Sequence, residues 1–583
     1  MAYIGFADSF ATTPKMLSPF RFLNILEGSG IDFVHTSGTT AERYFPTAFG
    51  SGVAMLDYDG DCRLDLYFAT NTFLPLGTAK TGPNKLYRNL GGGKFEDVTA
   101  KAGLDFTGFC HGIIVGDLDN DGDPDLFLCN VGPNALYLNN GDGTFRDASH
   151  PAGIETPNWS MGGAMLDYDN DGDLDIYVAN YGTYAFLQTP RPCGSDEVPI
   201  YCAPGGVPWA KNCLYRNNGD ATFTDVTDRA GLGRTDGHSF GAVAADLNCD
   251  GRVDLYAVND LRPNFLFLNK GDGTFEDVTE TSGAAYDAQG GPQASMGVDA
   301  EDCDGDGRPE LIATNYQYEY TAYYQNFSVS PATPPVRGVA PPVMFNDASA
   351  AIGLVADSKP YVGWGCALAD FDNDGWPDVF VTNGHVDSNR ALLAPMLTYL
   401  EPPMLHRNVP AGTAPGAGRR FERATLGVGP YFDARHAGRG AAFGDLDDDG
   451  DIDIVVNHRD AAPAVLRNDT PGDYRWIRLK LVGTRSNRDA IGARVEVHAG
   501  ERTITRQRKS GHSLESANDP RLLIGLGIVD EVDRVTIRWP SGVVSTFEHL
   551  VTNTTYEVVE PRDEEGKGKG LAVVRPGEKL GAD

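Results

Sequence analysis

The sequence predicts an all-β protein, a seven-bladed β-propeller followed by a small C-terminal β-domain. Three observations lead to this prediction. A nine-residue acidic loop of the general form D-x-D-x-D-G-x-x-D recurs seven times in 583 residues. Each copy lies between two short apolar runs that predict strands, and the 70 glycines suit many short strands joined by tight turns. Repeats of this length with four strands each are typical of propellers.

The seven acidic loops define the repeat. They open at intervals of 50 to 79 residues, a variation that insertions between blades would produce. The opening residues are Asp57, Asp117, Asp167, Asp246, Asp302, Asp370 and Asp445. A glycine stands five residues before each of them, at Gly52, Gly112, Gly162, Gly241, Gly297, Gly365 and Gly440. Small or apolar residues separate glycine from aspartate, so each repeat begins with a short buried strand.

A second apolar run follows each loop and ends at an asparagine. These residues are Asn71, Asn130, Asn180, Asn259, Asn315, Asn383 and Asn457. A third strand is predicted in stretches such as 86–89, and a glycine-rich turn such as the one at Gly141 leads to a fourth. Radial packing of such units buries both faces of each sheet and leaves only short edges. A solenoid, the alternative, would show a shorter and more regular period.

Composition shifts divide the chain into four parts. Residues 1–20 form an N-terminal extension and residues 21–470 the propeller. Pro471 and Gly472 mark a boundary, after which residues 471–560 carry no acidic loop and alternate as strands. Residues 561–583 are rich in glycine and charge, so we expect a flexible tail.

Charge and hydropathy argue against nucleic-acid binding and against a membrane-spanning helix. A formal net charge of −33 argues against nucleic acid, because phosphate binding needs clustered lysine and arginine. The sequence has no run of about 18 apolar residues, so no transmembrane helix is expected. Residues 1–10 lack the basic and apolar pattern of a signal peptide. Either such a peptide has been removed or the protein is not exported.

The spacing of the loops predicts calcium sites, up to seven of them. Ca²⁺ takes six to eight oxygen ligands, and positions 1, 3 and 5 of a tight loop can supply three carboxylates, with glycine at position 6 permitting the turn. Position 7 varies freely in side chain, as expected if its carbonyl is the ligand, and position 9 is always acidic. The predicted ligands are Asp57, Asp59, Asp61, Arg63 and Asp65; Asp117, Asp119, Asp121, Asp123 and Asp125; Asp167, Asp169, Asp171, Asp173 and Asp175; Asp246, Asn248, Asp250, Arg252 and Asp254; Asp302, Asp304, Asp306, Arg308 and Glu310; Asp370, Asp372, Asp374, Trp376 and Asp378; and Asp445, Asp447, Asp449, Asp451 and Asp453.

Two loops depart from the pattern, and two other interpretations are open. Cys62 replaces the glycine of the first loop and Asn248 an aspartate of the fourth, so both should bind more weakly. Mg²⁺ is a poorer match because it demands stricter octahedral geometry. The alternative without any ion is a set of solvated acidic turns, in which the packed carboxylates would repel one another.

Nine cysteines suggest one disulfide. Cys193 and Cys202 lie close together in an insertion, which makes a bond between them plausible. A zinc site that also uses Cys213 is the alternative, although no histidine lies nearby in the sequence. The remaining cysteines are scattered singly and are interpreted as small buried residues.

The chain resembles the FG-GAP/VCBS repeat proteins, whose integrin-alpha-type propellers hold Ca²⁺ in loops of this form. Its last part is similar to the ASPIC/UnbV domain of the cartilage acidic protein-like family, through residues 487–494, 510–516 and 539–542 and the Leu526-Gly527 pair. The resemblance implies a secreted or periplasmic protein with calcium and a binding or adhesion role. It implies no settled activity.

Two function classes follow. The first is a binding, adhesion or assembly module for a protein or glycan. The second is an enzyme, a hydrolase or small-molecule tailoring enzyme, with its site at the channel mouth; whether the chain is an enzyme is left open. Self-association through strand edges is a third possibility.

Residues just before the repeat glycines are expected at one channel mouth, as a ligand site or as a plug. They are His111, Trp159, His238, Trp364, His436 and Arg439. His512 could belong to a triad, but a structural role is favoured because no partner is evident.

Overall fold

The computed structural model describes residues 18–79, 81–154, 157–188, 193–195, 197–329, 336–393, 398–414, 418–562 and 570–574. Residues 1–17 of the predicted extension and residues 563–569 and 575–583 of the predicted tail lie outside the described residues. Helices in the described part are single turns. They are α1 (Thr99–Ala102), α2 (Ser149–Ala152), α3 (Val355–Ser358), α4 (Arg390–Leu393) and α5 (Pro430–Asp433), with 3₁₀ turns at Phe45–Ala48, Tyr184–Gln188 and Pro204–Gly206.

After a short first strand β1 (Phe22–Asn24), the first half contains three antiparallel units of four strands, called blades 1 to 3. Blades 2 and 3 are joined into one eight-stranded sheet, because Asn158 and Trp159 pair with Gly132 and Val131. Blade 1 contains β2 (Val53–Leu56), β3 (Asp65–Phe68), β4 (Lys85–Gly91) and β5 (Lys94–Asp97). Blade 2 contains β6 (Cys110–Gly116), β7 (Asp125–Gly132), β8 (Ala135–Asn139) and β9 (Phe145–Asp147). Blade 3 contains β10 (Asn158–Leu166), β11 (Asp175–Gly182), β14 (Cys213–Asn217) and β15 (Phe223–Asp225), and its insertion carries β12 (Cys193–Gly194) and β13 (Pro199–Ile200).

The second half of the propeller repeats this order. Blade 4 contains β16 (Ser239–Ala245), β17 (Asp254–Asn259), β18 (Phe265–Asn269) and β19 (Phe275–Asp277). Blade 5 contains β20 (Val298–Glu301), β21 (Glu310–Ala313), β22 (Ala322–Asn326) and β23 (Phe345–Asp347). Blade 6 contains β24 (Gly363–Ala369), β25 (Asp378–Asn383), β26 (Met404–Pro410) and β27 (Arg419–Arg423). Blade 7 contains β28 (Gly438–Gly444), β29 (Asp453–His458) and β30 (Ala464–Asn468).

The first strand of each blade lies innermost, and these strands contact one another in cyclic order, from β2 through β28 and back to β2. Each inner strand is buried along its length, because both faces of its sheet pack against neighbouring blades. The all-β propeller predicted from the repeats is confirmed.

Closure of the ring uses the start of the chain. Strand β1 pairs antiparallel with β30, with Phe22 opposite Asn468 and Asn24 opposite Leu466, and so supplies the fourth strand of blade 7. The Phe22 ring is buried and packs on Phe371 and Phe432, at centroid distances of 6.0 and 5.6 Å. Sequence reasoning placed no strand here.

After β30 the chain forms a separate β-domain of two four-stranded sheets. One has the order β34 (Leu522–Gly527), β31 (Arg475–Val482), β37 (Thr554–Val559), β38 (Leu571–Val573). The other has the order β33 (Arg502–Gln507), β32 (Arg494–Ala499), β35 (Glu531–Arg538), β36 (Val544–Val551). The two sheets share one apolar core, which includes Ile477, Val495, Val535 and Tyr556.

The expectation of a flexible tail is wrong for one segment. Leu571–Val573 is strand β38, which pairs antiparallel with β37. Apolar residues and a free edge on β37 allow this pairing, whereas composition alone predicted mobility.

We expect Phe22→Ala to destabilise the propeller by about 3–5 kcal/mol, because it empties a buried aromatic site at the ring closure. The neighbouring Leu23 is 45% exposed, so Leu23→Ala should change stability by no more than about 0.5 kcal/mol. Thermal unfolding of the two variants checks this. Equal melting temperatures for Phe22→Ala and the parent would mean that β1 does not hold the ring closed.

Candidate metal centres and the central channel

Each acidic loop joins the inner strand of its blade to the second strand and folds around its first aspartate. In loop 2, Asp117 Oδ1 accepts the N–H of Asp121 (3.1 Å) and Oδ2 that of Gly122 (2.8 Å). The position-6 residue has φ in the left-handed region in all seven loops. Cys62 adopts φ +66° there, a conformation that a residue with a side chain rarely takes, which supports the expected weakness of loop 1.

The position-9 carboxylates hold each loop to the strands of its blade. In all seven loops this carboxylate accepts the N–H of position 2, as Asp125 does from Leu118 (2.9 Å). In six it also accepts the N–H of an asparagine at the end of the third strand, such as Asn139 (2.8 Å). Burial raises the pKa of Asp125 to about 8.

The same asparagines connect neighbouring loops. Their side-chain amides donate to the position-2 carbonyl of the preceding blade's loop, as Asn139 does to Tyr58 (2.9 Å) and Asn89 does to Leu446 (2.8 Å). The full set is Asn89, Asn139, Asn217, Asn269, Asn326, Asn408 and Asn468. The bond from Asn89 links blade 1 to blade 7, so the cycle is closed. The sequence pattern places such asparagines at the end of the third strand, as in residues 86–89, but does not indicate a role for them.

Positions 1, 3 and 5 bring oxygen atoms together. In at least five loops, three acidic oxygens lie within 4.8 Å of one another. In loops 1, 5 and 6 these come from positions 1, 3 and 5, and in loops 2 and 3 from positions 1, 3 and 9. The backbone N–H of position 7 donates to the position-5 carboxylate in every loop, as Asp123 does to Asp121 (2.9 Å).

Three of the loops have an oxygen that fits a cation. The Oδ1 atoms of Asp119, Asp169 and Asp447 are buried and have no hydrogen-bond partner in the described part of the chain. All three are at position 3, in loops 2, 3 and 7. A buried carboxylate oxygen without a donor is costly, and a divalent cation is the partner that the surrounding oxygens fit.

Arginines also contact carboxylates of the loops, including loops 2 and 7, where Arg146 lies 3.4 Å from Asp119 and Arg478 contacts Asp445. Arg88 contacts Asp59 (2.7 Å) and Asp61 (3.1 Å) in loop 1, and Arg407 contacts Asp372 (2.7 Å) and Asp374 (3.1 Å) in loop 6. The predicted position-7 arginines also turn their side chains back to position 5, as Arg252 does to Asp250 (2.6 Å). These guanidinium groups neutralise part of the charge that would otherwise attract a cation.

Burial raises the pKa of the first carboxylates. It moves the pKa of Asp117 and of Asp167 to about 7, and neighbouring loop carboxylates add to the shift. A cation bound between these groups would favour their ionised forms and release protons.

One channel mouth is filled by aromatic side chains. Phe49 lies at the centre, with ring centroids 5.7 Å from Trp159, 5.1 Å from Phe240 and 6.1 Å from Trp364. Trp159, Trp364 and His111 are fully buried. His111 Nδ1 donates to the carbonyl of Gly50 (2.8 Å). This arrangement matches the plug rather than an open ligand site, and Phe49 could not be assigned to it from the sequence because it lies outside the repeat.

The other residues expected at this mouth have distinct places. His238 donates from Nδ1 to the carbonyl of Tyr181 (2.7 Å), and Arg439 lies 4.2 Å from the Trp364 ring. His436 does not belong to the plug, because its ring stacks on Tyr431. A position just before the repeat glycine therefore indicates burial for most of these residues, but it does not indicate that they form one shared site.

The opposite end of the channel is closed by the C-terminal β-domain. Residues 508–519, here called the axial loop, leave the domain after β33 and enter the ring. Ser510, Ser513 and Ala517 donate their N–H groups to inner-strand carbonyls of Ala244, Val298 and Val53, at 3.2, 2.7 and 3.1 Å. The carbonyl of Glu515 accepts the N–H of Ile113 (3.0 Å). The loop thus pairs with inner-strand edges that have no other strand beside them.

His512 belongs to the axial loop. Burial lowers the pKa of its imidazole well below the ordinary value, and the cations Lys509 and Arg508 add to this. A histidine held neutral in this way fits the structural role favoured from the sequence.

The insertion of blade 3 extends over the aromatic mouth. Cys193 and Cys202 are joined by a disulfide, which leaves no thiolate pair for the alternative zinc site. Tyr201 is buried in the core at this mouth, and its backbone N–H donates to Asp387 (3.0 Å).

Comparisons with known proteins agree with this architecture. A family model described as an FG-GAP-like repeat matches residues 57–128, 117–178, 200–257 and 246–313. A second model, described as ASPIC and UnbV, matches residues 483–565. The chain is an FG-GAP repeat protein with a C-terminal ASPIC and UnbV domain.

Curated relatives of this FG-GAP repeat protein are named cartilage acidic protein 1. The Homo sapiens protein is 26% identical over 360 residues, which cover 60% of this chain and 48% of the relative. The Mus musculus protein is 27% identical over 346 residues, 58% of this chain and 46% of the relative. The chain therefore spans about half the length of the curated relatives it matches.

Two solved structures are similar at low identity. An Agrocybe aegerita lectin described as recognising non-reducing terminal N-acetylglucosamine is 17% identical, with a TM-score of 0.35, covering 73% of this chain and 91% of the lectin. YCF48 bound to a D1 peptide is 9% identical, with a TM-score of 0.37, covering 78% of this chain and 98% of that chain.

Gly52 and Gly241 occupy the same repeat position and offer a matched test of the axial loop. A Cβ on Gly52 would lie 1.6 Å from the Glu515 carbonyl oxygen, whereas one on Gly241 has no atom within 4 Å. We expect Gly52→Ala to displace the loop, destabilise the protein by about 3 kcal/mol and speed amide exchange at Ile113. Gly241→Ala should leave both nearly unchanged. Unchanged amide exchange at Ile113 in Gly52→Ala would contradict the described position of the axial loop against the inner strands.

Proposed function

We propose that the protein is a calcium-stabilised, secreted or periplasmic propeller that acts as a binding, adhesion or assembly module for a protein or glycan. The observation that carries the calcium part is the recurrence of one buried, undonated carboxylate oxygen at position 3 of loops 2, 3 and 7. Calcium fits these oxygen clusters because it accepts many oxygen ligands in flexible geometry.

The loops are proposed to differ in affinity. Loops 2, 3 and 7 should bind most tightly, since the Oδ1 atom of each position-3 carboxylate is buried and has no donor among the described residues. Loop 1 combines the strained Cys62 with Arg88 on its carboxylates, and loop 4 has Asn248 beside an aspartate that Arg252 already contacts. These two loops should bind weakly, so calcium is proposed at up to seven sites of unequal strength.

The binding role is proposed from the surfaces that the rest of the described chain leaves uncovered. Aromatic side chains fill one channel mouth and the axial loop fills the other, so support for the enzyme alternative at the mouth is lacking. The C-terminal domain covers the propeller face that carries the acidic loops, here also called the metal loops. The opposite face carries exposed aromatic groups: Trp209 is 45% exposed and Tyr318 is 63% exposed, and Arg262 stacks 5.0 Å from the Trp209 ring. Aromatic and arginine side chains are common at binding surfaces.

Location outside the cytoplasm is supported by the disulfide of the blade 3 insertion, because such bonds persist in oxidising compartments. No helix among the described residues is both long and apolar enough to cross a membrane.

Removing calcium is expected to lower the melting temperature sharply. Ions that bind only the native state stabilise it by mass action, about 2.7 kcal/mol per site at a hundred times the dissociation constant. Differential scanning calorimetry with and without a chelator measures the effect, and elemental analysis of the dialysed protein should find several calcium equivalents per chain. Identical melting curves in calcium and in chelator would overturn the proposal.

A double variant in loop 2 should remove one site. Asp119→Asn with Asp121→Asn takes two carboxylates from the cluster, so bound calcium should fall by about one equivalent while the other loops keep theirs. The matched control is Asp105→Asn with Asp142→Asn, which removes two exposed charges outside the acidic loops and should leave the calcium content unchanged. An equal loss in both variants would show that only overall charge matters.

A further inference from the structure

The C-terminal domain touches the backbone of the metal loops with a set of long polar side chains. Arg494 donates to the carbonyl of Gly307 (2.8 Å), and Arg502 donates to the carbonyls of Asp374 (2.7 Å) and Gly375 (3.1 Å). Gly307 and Gly375 are both at position 6 of their loops. The domain thus contacts the same backbone oxygen in loops 5 and 6.

Loops 2 and 4 are contacted at position 1. The N–H of Asp117 donates to Asp489 (3.0 Å). Gln507 accepts the N–H of Asp246 (2.9 Å) and donates to its carbonyl (3.0 Å). These hydrogen bonds involve backbone groups of the loops rather than flexible side chains. Their lengths therefore depend on the folded shape of the loop backbone.

Loop 7 is contacted through its charges. Arg478 donates to the carboxylates of Asp445 and Asp448, the latter at 2.7 Å, and is almost fully buried. The Trp476 ring lies directly against Gly450, the position-6 glycine of this loop. Arg521 contacts both loop 7, at the Asp445 carbonyl (3.2 Å), and loop 1, at the Cys62 carbonyl (3.4 Å).

We infer that docking of the C-terminal domain onto the propeller is coupled to calcium in the metal loops, so that the domain is a calcium-dependent cap on the channel. The inference rests on the proposed calcium binding. Positions 5 and 7 flank the carbonyl that the arginines contact, and both are proposed ligands. A cation therefore fixes the direction of that carbonyl, whereas packed carboxylates without one repel and change the loop's shape.

Coupling of this kind is reciprocal. If calcium strengthens docking by a given factor, docking strengthens calcium binding by the same factor. The axial loop reports docking directly, since its amides at Ser510, Ser513 and Ala517 are protected by hydrogen bonds to propeller carbonyls. Ion pairs of Lys509 with Asp299 (2.6 Å) and Glu301 (3.3 Å) hold the loop's entrance.

Hydrogen exchange of the full-length protein tests the coupling. We expect the amides of residues 508–519 to exchange about tenfold faster or more after chelation, and to regain protection as calcium is added. Protease cleavage between residues 469 and 474, which join the two domains, should accelerate in parallel. Calcium stoichiometry is measured on the same samples by equilibrium dialysis.

Paired variants separate docking from metal binding. Arg494→Ala with Arg502→Ala removes three hydrogen bonds to loop carbonyls and replaces no proposed ligand, so the chain should still bind calcium but with roughly tenfold weaker affinity at the affected loops. Faster exchange of residues 508–519 should accompany the change. The control, Arg534→Ala with Arg538→Ala, removes two exposed arginines of the same domain and should behave as the parent.

The outcomes distinguish the two proposals. Calcium-dependent protection of residues 508–519 that is weakened only in the Arg494 and Arg502 variant supports the coupling. Several equivalents of bound calcium with the same protection in calcium and chelator would overturn the coupling and leave the calcium proposal standing. Absence of bound calcium would overturn both.

Discussion

One asparagine at the end of the third strand of each blade connects neighbouring blades through their acidic loops. Its backbone N–H donates to the position-9 carboxylate of its own loop in six blades, and its side-chain amide donates to the position-2 carbonyl of the preceding loop in all seven. That position-2 residue in turn donates its N–H to the position-9 carboxylate of its own loop. Leaving one of these buried groups without a partner would cost about 1–3 kcal/mol. The shape of the loops and the spacing of the blades are therefore set by the same groups.

Much of this architecture could be predicted from the sequence because it repeats. The alternation of glycine, apolar run, acidic loop and apolar run predicted the first two strands of every blade and the loop that joins them. The spacing of the acidic residues predicted that positions 1, 3 and 5 meet, which the structure shows in loops 1, 5 and 6. In loop 1, Cys62 in place of glycine predicted weaker binding, and the structure places this residue at φ +66°.

Features that occur once could not be predicted. Strand β1 carries no repeat signal, and its pairing with β30 depends on chain segments more than 440 residues apart, Phe22 and Asn468. Phe49 lies outside the repeat, so nothing marked it as the centre of the aromatic plug. The sequence gives the arginines of the C-terminal domain no assigned role, because their partners are backbone carbonyls whose positions only the folded loops define.

The two ends of the channel are closed by different chemistry. Packed aromatic rings fill one mouth, whereas the axial loop at the other makes backbone hydrogen bonds, and its domain carries side chains that contact the acidic loops. The face with the aromatic mouth also carries Trp209 and Tyr318, which are 45% and 63% exposed, whereas the C-terminal domain covers the other face.

The pairing of β1 with β30 has a consequence for biosynthesis. Because the earliest described strand completes the last blade, the circle cannot shut until residue 468 has left the ribosome, and the first strand must wait unpaired throughout. The channel is then sealed by residues 508–519, later still. The ring and its axial loop are therefore completed late in synthesis of the chain, after nearly all of the propeller has been made.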